Sequence, residues 1–164
     1  MSIIGLSADE LVRDLNLTIP IDLNKICENY NIKIVYRDII SADGYFIPIK
    51  KKIIISNKIR GTYKERFTIA HELGHLFLHM GYLISKDTWD QQSNSHQFTR
   101  FGANEQEYQA NEFAAALLMP QKEFKEKIEE YSSENFVNMA QVANYFHVSI
   151  SAATNHGRFL GYLQ

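Results

Sequence analysis

Hydrophobic and polar residues follow two different periods along the first third of the chain. Residues 8–17 and 21–30 place apolar side chains three and four positions apart, which predicts two amphipathic helices. Ser7 stands where it would cap the first helix, and Pro20 stands where a first-turn proline would open the second. Three later segments are rich in β-branched and aromatic residues and predict strands; they are residues 32–36, 45–47 and 53–56.

Two further segments predict buried helices. The first starts near Tyr63 and contains Phe67-Thr-Ile-Ala-His-Glu-Leu-Gly-His-Leu-Phe-Leu-His79, which is apolar on nearly every side. The second, residues 107–120, repeats apolar residues at helical spacing and ends at Pro120. Its alanines allow a close approach to the first helix. We therefore expect an α+β fold in which a small sheet of about three strands packs on these two helices.

The first of these helices carries the pattern His-Glu-x-x-His. On an α-helix, residues four apart are about 40° apart in rotation and about 6 Å apart along the axis. His71 and His75 are therefore placed to bind one zinc ion from the same face. Glu72 projects beside that face, where it is placed to hold a water molecule on the metal. This is the arrangement of a metal-dependent hydrolase.

A third ligand is needed, and the second helix offers a better one than the first. His79 lies about 12 Å along an ideal helix from His71, too far for both to bind the same small ion. Glu107 is the better candidate, and Asn111 follows it by one turn. We expect Asn111 to accept a hydrogen bond from a ligand imidazole and so to fix its tautomer.

A purely structural interpretation of the same residues is also open. The histidines of a buried helix can simply satisfy backbone carbonyl groups, and glutamates on a second helix can be solvated surface charges. We interpret Glu105 and Glu112 as such solvated surface charges. A purely structural interpretation fits Glu72 poorly, because a carboxylate in so apolar a helix must be paired or coordinated.

At these positions the chain resembles the ImmA/IrrE family of metallopeptidases. The matching stretches are Arg66-Phe-Thr-Ile-Ala-His-Glu-Leu-Gly-His-Leu-Phe-Leu-His79 and Glu107-Tyr-Gln-Ala-Asn-Glu-Phe-Ala-Ala-Ala-Leu-Leu-Met-Pro120. The two together are far more specific than His-Glu-x-x-His alone.

The resemblance implies a zinc-dependent metalloendopeptidase of the gluzincin type. Zinc would be held by His71, His75 and Glu107, with Glu72 as the catalytic acid and base. Members of the family cleave a helix-turn-helix repressor, often one encoded beside them, and so switch on genes of a mobile element or of a stress response. In zinc peptidases of this type an edge strand beside the metal helix pairs with the substrate backbone. Which strand forms that edge is left open by the sequence.

Composition places the chain among soluble globular proteins. It has 164 residues, of which 45% are hydrophobic and 22% charged, with a net charge of −2. So small a charge provides no overall field that attracts nucleic acid or an acidic membrane. Cys27 is the only cysteine, which excludes an internal disulfide and fits a reducing cytoplasm. No segment has the pattern of a signal peptide or the length of a membrane span.

The remaining segments raise two further hypotheses. Residues 80–104 form a long polar connection that contains Trp89, His96 and Arg100, and the sequence does not decide whether it acts as a lid. Residues 132–164 predict a helix-turn-helix-like unit, with Ser149 as a helix cap. We expect this unit to pack on a peptidase core formed by residues 1–131, as one domain.

Direct DNA binding by this C-terminal unit is disfavoured. A recognition helix needs phosphate-neutralising side chains around it, and Arg158 is the only lysine or arginine from Phe136 onward. Two alternatives to proteolysis remain. One is a DNA-binding regulator that keeps the zinc fold as a scaffold, and the other is a module that binds a protein partner without cutting it.

Overall fold

The computed structural model describes residues 2–80, 103–134 and 136–164. These residues form seven α-helices and two small sheets, which confirms the predicted α+β class. The helices are α1 (Ile3–Asp14), α2 (Leu23–Asn29), α3 (Tyr63–Gly74), α4 (Ala103–Leu118), α5 (Gln121–Glu130), α6 (Met139–Phe146) and α7 (Ile150–Phe159). The strands are β1 (Lys33–Arg37), β2 (Gly44–Ile47), β3 (Lys52–Ser56), β4 (Ser132–Ser133) and β5 (Phe136–Val137).

Helix α1 begins five residues before its predicted start. The side chain of Ser2, not that of Ser7, caps it by accepting a 3.0 Å hydrogen bond from the backbone N–H of Gly5. Ser7 lies inside the helix, where its hydroxyl donates to the carbonyl of Ile3. The hydrophobic pattern missed this first turn because Ile3 is exposed and so adds nothing to the buried face.

The main sheet has the strand order β1-β3-β2. Strand β1 runs parallel to the central strand β3, and β2 runs antiparallel to it. Residues Ile53–Ile55 of β3 are buried, as predicted for a strand covered on both faces. Strand β2 lies at an edge and is followed at once by Pro48, which is where a proline next to a strand is tolerated.

Strand β2 lies unusually close to helix α3. A Cβ atom at Gly44 would lie 2.8 Å from the carbonyl oxygen of Ile54 and 2.8 Å from the Cγ2 atom of Thr68. Only glycine fits this contact without moving the strand or the helix. The packing therefore keeps the edge strand against the face of α3 from which Glu72 projects one turn later.

Helix α3 is held at its start by two reciprocal hydrogen bonds that resemble a capping box, with Gly61 in place of the N-cap residue as the second donor. The Thr62 hydroxyl accepts from the N–H of Glu65, and the Glu65 carboxylate accepts in return from the N–H of Gly61. The Tyr36 hydroxyl donates to the same carboxylate and so joins β1 to this helix. The predicted start of the helix near Tyr63 is confirmed.

The α-helical geometry ends at Gly74, and His75–His79 form a π turn. The sequence-based expectation of one uninterrupted α-helix through His79 was therefore wrong beyond residue 74. A π turn closes its hydrogen bonds on the fifth residue instead of the fourth. His79 has consequently rotated less far about the axis than the fourth residue of an α-turn would.

Helices α3 and α4 make a close contact. A Cβ atom at Gly74 would lie 3.1 Å from both the Cα and the carbonyl oxygen of Ala110. The predicted close approach between the two helices is confirmed, although the glycine that permits it lies on α3 opposite the predicted alanine. The contact is one turn away from Glu107 and so controls how near that side chain comes to α3.

The described chain groups into two compact units. One comprises residues 23–114, and the other comprises residues 1–22 and 115–164. This division differs from the expected division at residue 131, which stays a prediction. The first unit contains α2, the three-stranded sheet, α3, the π turn and most of α4, and it holds every predicted site residue.

The second unit is helical around an aromatic core. Phe124 of α5 lies in its centre, 5.7 Å from Phe146 and 5.0 Å from His156 between ring centroids. Helices α6 and α7 form the predicted pair. Their turn contains His147 in the left-handed conformation, and the Ser149 hydroxyl caps α7 as expected. Among the described residues, no helix combines the length and apolar character needed to cross a bilayer.

Candidate metal centre

Three predicted ligands converge between α3 and α4. The Nε2 atoms of His71 and His75 lie 3.0 Å apart. The Glu107 carboxylate reaches both rings, with one oxygen 3.2 Å from the Nε2 atom of His71 and the other 3.3 Å from that of His75. In the part of the chain that the structure describes, these three residues form the one cluster whose donor atoms have the spacing of a metal site.

The donor set has the spacing and chemistry that a zinc ion requires. Zinc bonds nitrogen and oxygen at about 2.0–2.1 Å, so two ligands of a tetrahedral ion are about 3.3 Å apart. The three observed separations lie close to this value. Two imidazole nitrogens that face each other at 3.0 Å repel if both carry lone pairs, and a cation between them removes that repulsion. The residues therefore fit the metal.

Both histidines also make contacts on the side away from this cluster. The Nδ1 atom of His71 lies 2.9 Å from the side-chain oxygen of Asn111, the residue predicted for this role. Because Asn111 Oδ1 can only accept, His71 carries its proton on Nδ1, and its Nε2 atom is left free to bind a metal. The expected contact is thus present at hydrogen-bonding distance.

Glu72 lies next to the three ligands and is buried, with 9% of its surface exposed. The pKa of its carboxyl group is raised to about 7, chiefly by burial and also by the nearby Glu107 carboxylate, while a hydrogen bond from the backbone N–H of Phe46 acts in the opposite direction. A divalent cation at the three ligands would lower this pKa, since it stabilises the carboxylate. Phe46 belongs to β2, so Glu72 contacts the edge strand directly.

His75 is held in its neutral form. The pKa of His75 is lowered to about 4, chiefly by burial and then by the neighbouring His71, while Glu107 acts in the opposite direction. A neutral imidazole is the form that binds metals, because its lone pair is available. Burial disfavours the charged form of His75 and so favours the neutral form that can bind a metal ion.

Two contacts beside His75 were not predicted. The Nδ1 atom of His79 lies 3.0 Å from the Nδ1 atom of His75. The Nε2 atom of His79 lies 3.0 Å from the side-chain oxygen of Gln109 on α4. His79 was considered as a metal ligand and set aside in that role. The signal for the contact was its position four residues after His75, which places two side chains side by side on a helix.

A separate groove lies on the outer face of the sheet. It has a volume of about 570 Å³, an apolar floor that includes Val35 and Ile54, and the cationic side chains of Arg37, Lys50 and Lys52 at its rim. Gly44 and the residues that alternate with these lining positions face α3 instead. None of the predicted site residues lines this groove.

Three candidate residues cannot be placed. Trp89, His96 and Arg100, together with the hypothesis that their segment forms a lid, lie outside the described residues.

The family model for the IrrE N-terminal-like domain, named Peptidase_M78, matches residues 27–156. The fold is similar to that of a solved structure described as a Mycobacterium tuberculosis transcriptional regulator, with a TM-score of 0.70 and 17% sequence identity. The similarity covers 95% of this chain but 55% of the other, so the present chain spans about half the length of that regulator. No curated protein matches the sequence.

Proposed function

The chain belongs to the IrrE N-terminal-like family of peptidases, and on that premise we propose that it is a zinc-dependent endopeptidase. One observation supports the proposal above all. A buried glutamate, Glu72, lies beside a cluster of two imidazoles and a carboxylate whose donor atoms are all within 4.8 Å of one another. A purely structural cluster does not require a buried acid next to two histidines.

His71, His75 and Glu107 are the residues that would hold the zinc ion, and Asn111 orients the His71 ring. When bound, the ion supplies Lewis acidity, which lowers the pKa of a water molecule and polarises the carbonyl group of the substrate. The Glu107 side chain is 59% exposed, so the cluster is open on one side to water and substrate.

Glu72 moves the proton. It accepts a proton from the attacking water as the water oxygen bonds to the carbonyl carbon of the peptide. It then gives this proton to the leaving nitrogen as the carbon–nitrogen bond breaks. The burial that raises the pKa of Glu72 makes its carboxylate a stronger base than a solvated one, while the Phe46 N–H fixes its orientation.

Strand β2 is the edge at which the substrate would pair. Its partner in the sheet is β3, and its opposite edge pairs with no strand among the described residues. The N–H of Ser56 donates to the carbonyl of Asp43, so by alternation the backbone groups of Gly44 and Phe46 point toward the open edge. Phe46 already contacts Glu72 there, so an added strand would pass the base. A peptide complex in which the substrate pairs with β1 would overturn this assignment.

The substrate we propose is a helix-turn-helix transcriptional repressor of a mobile element or of a stress response. The protein's own charge of −2 is compatible with this role, because the repressor itself would provide the affinity for DNA. We place the reaction in the cytoplasm, where the single buried thiol of Cys27 stays reduced.

The direct test combines metal analysis with incubation against such a repressor. Purified protein is expected to contain about one zinc per chain and to cut the repressor at one site, read as two fragments by mass spectrometry. Glu72→Gln is expected to keep the zinc and to lose at least about 99% of the cleavage rate, since general acid–base catalysis contributes about 10²–10⁴-fold. Equal cleavage by this variant would show that Glu72 is not the acid and base.

A non-catalytic regulator remains the second candidate. The observation in its favour is the fold similarity to a protein described as a transcriptional regulator. Repressor binding without fragments, equally strong in the parent and in Glu72→Gln, would support that candidate against proteolysis.

A further inference from the structure

His75 is held from both sides of its ring. Its Nε2 atom faces the other two candidate metal ligands, while its Nδ1 atom lies 3.0 Å from the Nδ1 atom of His79. His79 is held in turn by α4, where its Nε2 atom lies 3.0 Å from the side-chain oxygen of Gln109. The amide nitrogen of Gln109 donates to Glu105, one turn earlier on the same helix.

Metal binding allows one assignment of protons along this series of contacts. If His75 binds zinc through Nε2, its one remaining proton is on Nδ1, and that N–H must donate. His79 must then accept at Nδ1 and carry its own proton on Nε2. That proton is donated to the carbonyl oxygen of Gln109, and the amide of Gln109 donates to Glu105. Every contact then has one donor and one acceptor, and the series ends on a carboxylate.

We propose that His79 is a positioning residue for the zinc site. It accepts a hydrogen bond from His75, which fixes the tautomer and the ring orientation that leave the Nε2 lone pair of His75 directed at the ion. This inference rests on the proposed metal function. It gives each ligand imidazole its own acceptor, Asn111 for His71 and His79 for His75.

The local backbone supports this assignment. His75–His79 form the π turn, and single π turns within helices are frequent at functional sites. Leu76 and Phe77 in the same turn are buried, whereas His75 and His79 are both partly exposed and lie on the side of the cluster. The π turn thus keeps two apolar side chains in the core while it turns both histidines toward α4.

A matched pair of variants separates positioning from packing. In His79→Asn, the side-chain oxygen occupies the place of the imidazole Nδ1 atom and can still accept from His75. In His79→Leu, a side chain of similar bulk offers no acceptor. The readout is the zinc dissociation constant, measured by competition with a chromophoric chelator, together with the melting temperature of the zinc-free protein.

We expect His79→Leu to bind zinc about 10–100-fold more weakly, the usual cost of losing an acceptor behind a ligand histidine. His79→Asn should recover most of that affinity. Both variants should melt near the parent when zinc is absent. Parental zinc affinity in His79→Leu would overturn the inference, as would equal losses in the two variants or a lowered zinc-free melting temperature that explains the weaker binding.

The same measurement keeps this inference apart from the proposed function. If the parent protein binds no zinc, the proposed metal centre is wrong, and the proposed role of His79 is wrong with it. If the parent binds zinc and His79→Leu binds it equally well, the metal centre stands and only the role of His79 is lost. Cleavage is not needed for either outcome.

Discussion

Buried polar side chains are few in the described part of this chain, and two of them are ionisable groups whose burial disfavours the charged form. They are Glu72, which the peptidase proposal uses, and His156, which it does not. His156 lies in α7 with 5% of its surface exposed, and its Nε2 atom donates to the carbonyl oxygen of Met119 at 3.0 Å. Burial lowers the pKa of His156 to about 4, against a weaker opposite effect of that carbonyl.

His156 makes the stability of the fold depend on pH in a defined window. Its pKa in the folded protein lies below the ordinary value of 6.5, so between these two values the unfolded chain binds more protons. The stability contributed by neutral His156 is therefore complete above about pH 6.5 and is lost as the pH falls toward 4. From pH 7 to pH 5 we expect a loss of about 2 kcal/mol in the free energy of unfolding from this residue.

Urea unfolding of zinc-free protein at the two pH values measures this effect. The control is His156→Gln, whose amide nitrogen can still donate to Met119 but does not titrate. The parent should lose about 2 kcal/mol more than this variant on acidification. Equal losses in the two proteins would show that His156 is not protonated on unfolding.

At the residue scale, the sequence predicted the site better than its surroundings. Fixed spacing on a helix paired His71 with His75 and Glu107 with Asn111, because it defines which side chains share a face, and the family resemblance joined the two pairs. Helix spacing could not predict the contact between His79 and Gln109. That contact depends on a backbone irregularity and on the relative rotation of two helices, and neither is encoded in the spacing of either segment.

Between elements, the site depends on how closely α3 approaches α4. Gly74 sets this distance, because any larger residue would place its Cβ atom 3.1 Å from backbone atoms of Ala110 and 3.3 Å from the Cβ atom of Phe113. Backbone in the middle of a helix cannot move aside in the way that the end of a flexible side chain can. The helices must therefore separate by a few tenths of an ångström to accept even one methyl group.

Gly74→Ala is expected to weaken zinc binding. The displaced α4 carries Glu107 away from the imidazoles, and we expect the zinc dissociation constant to rise by about tenfold, the lower end of the effect of disturbing the support of a ligand. Competition with a chelator measures the change. Helix propensity alone would instead stabilise the protein by about 1 kcal/mol with zinc affinity unchanged, and that result would show that the helices accommodate the methyl group.

Element boundaries were predicted well where caps and hydrophobic periodicity agree. The start of α3 and the burial of β3 were both predicted; the structure shows Thr62 as the cap before Tyr63, and Ile53–Ile55 are uniformly apolar. The start of α1 was missed because its cap, Ser2, precedes a first turn whose side chains contribute little to the core. Strand order was not predictable, since β1 pairs directly with β3 although β2 lies between them in the sequence, and no local pattern specifies that pairing.

Charge is the property of the whole molecule that bears most on function. The net charge is −2, and the helix pair α6 and α7 contains a single arginine, Arg158. The exposed positions of α7 include Ile150 and Phe159, which are apolar. A surface of this kind neutralises few phosphates, and phosphate neutralisation provides nearly all non-specific DNA affinity.

We expect no measurable binding to double-stranded DNA at physiological salt. Fluorescence anisotropy with a labelled duplex should show a dissociation constant weaker than about 10⁻⁴ M, the weak end of the range for non-specific binders. The duplex should carry the operator of the repressor, so that sequence-specific contacts are also tested. Salt-dependent binding in the micromolar range would favour the regulator over the peptidase.

The π turn after Gly74 also affects how equivalent residues should be sought in other proteins. A π turn holds about one residue more than an α-turn, so it changes the numbering downstream more than the direction in which side chains point. A chain with an α-turn at this point would present its acceptor from three residues past the second ligand, at nearly the same angle. Comparative searches for the partner of the second histidine should therefore allow either spacing, since a fixed motif would discard chains that preserve the chemistry.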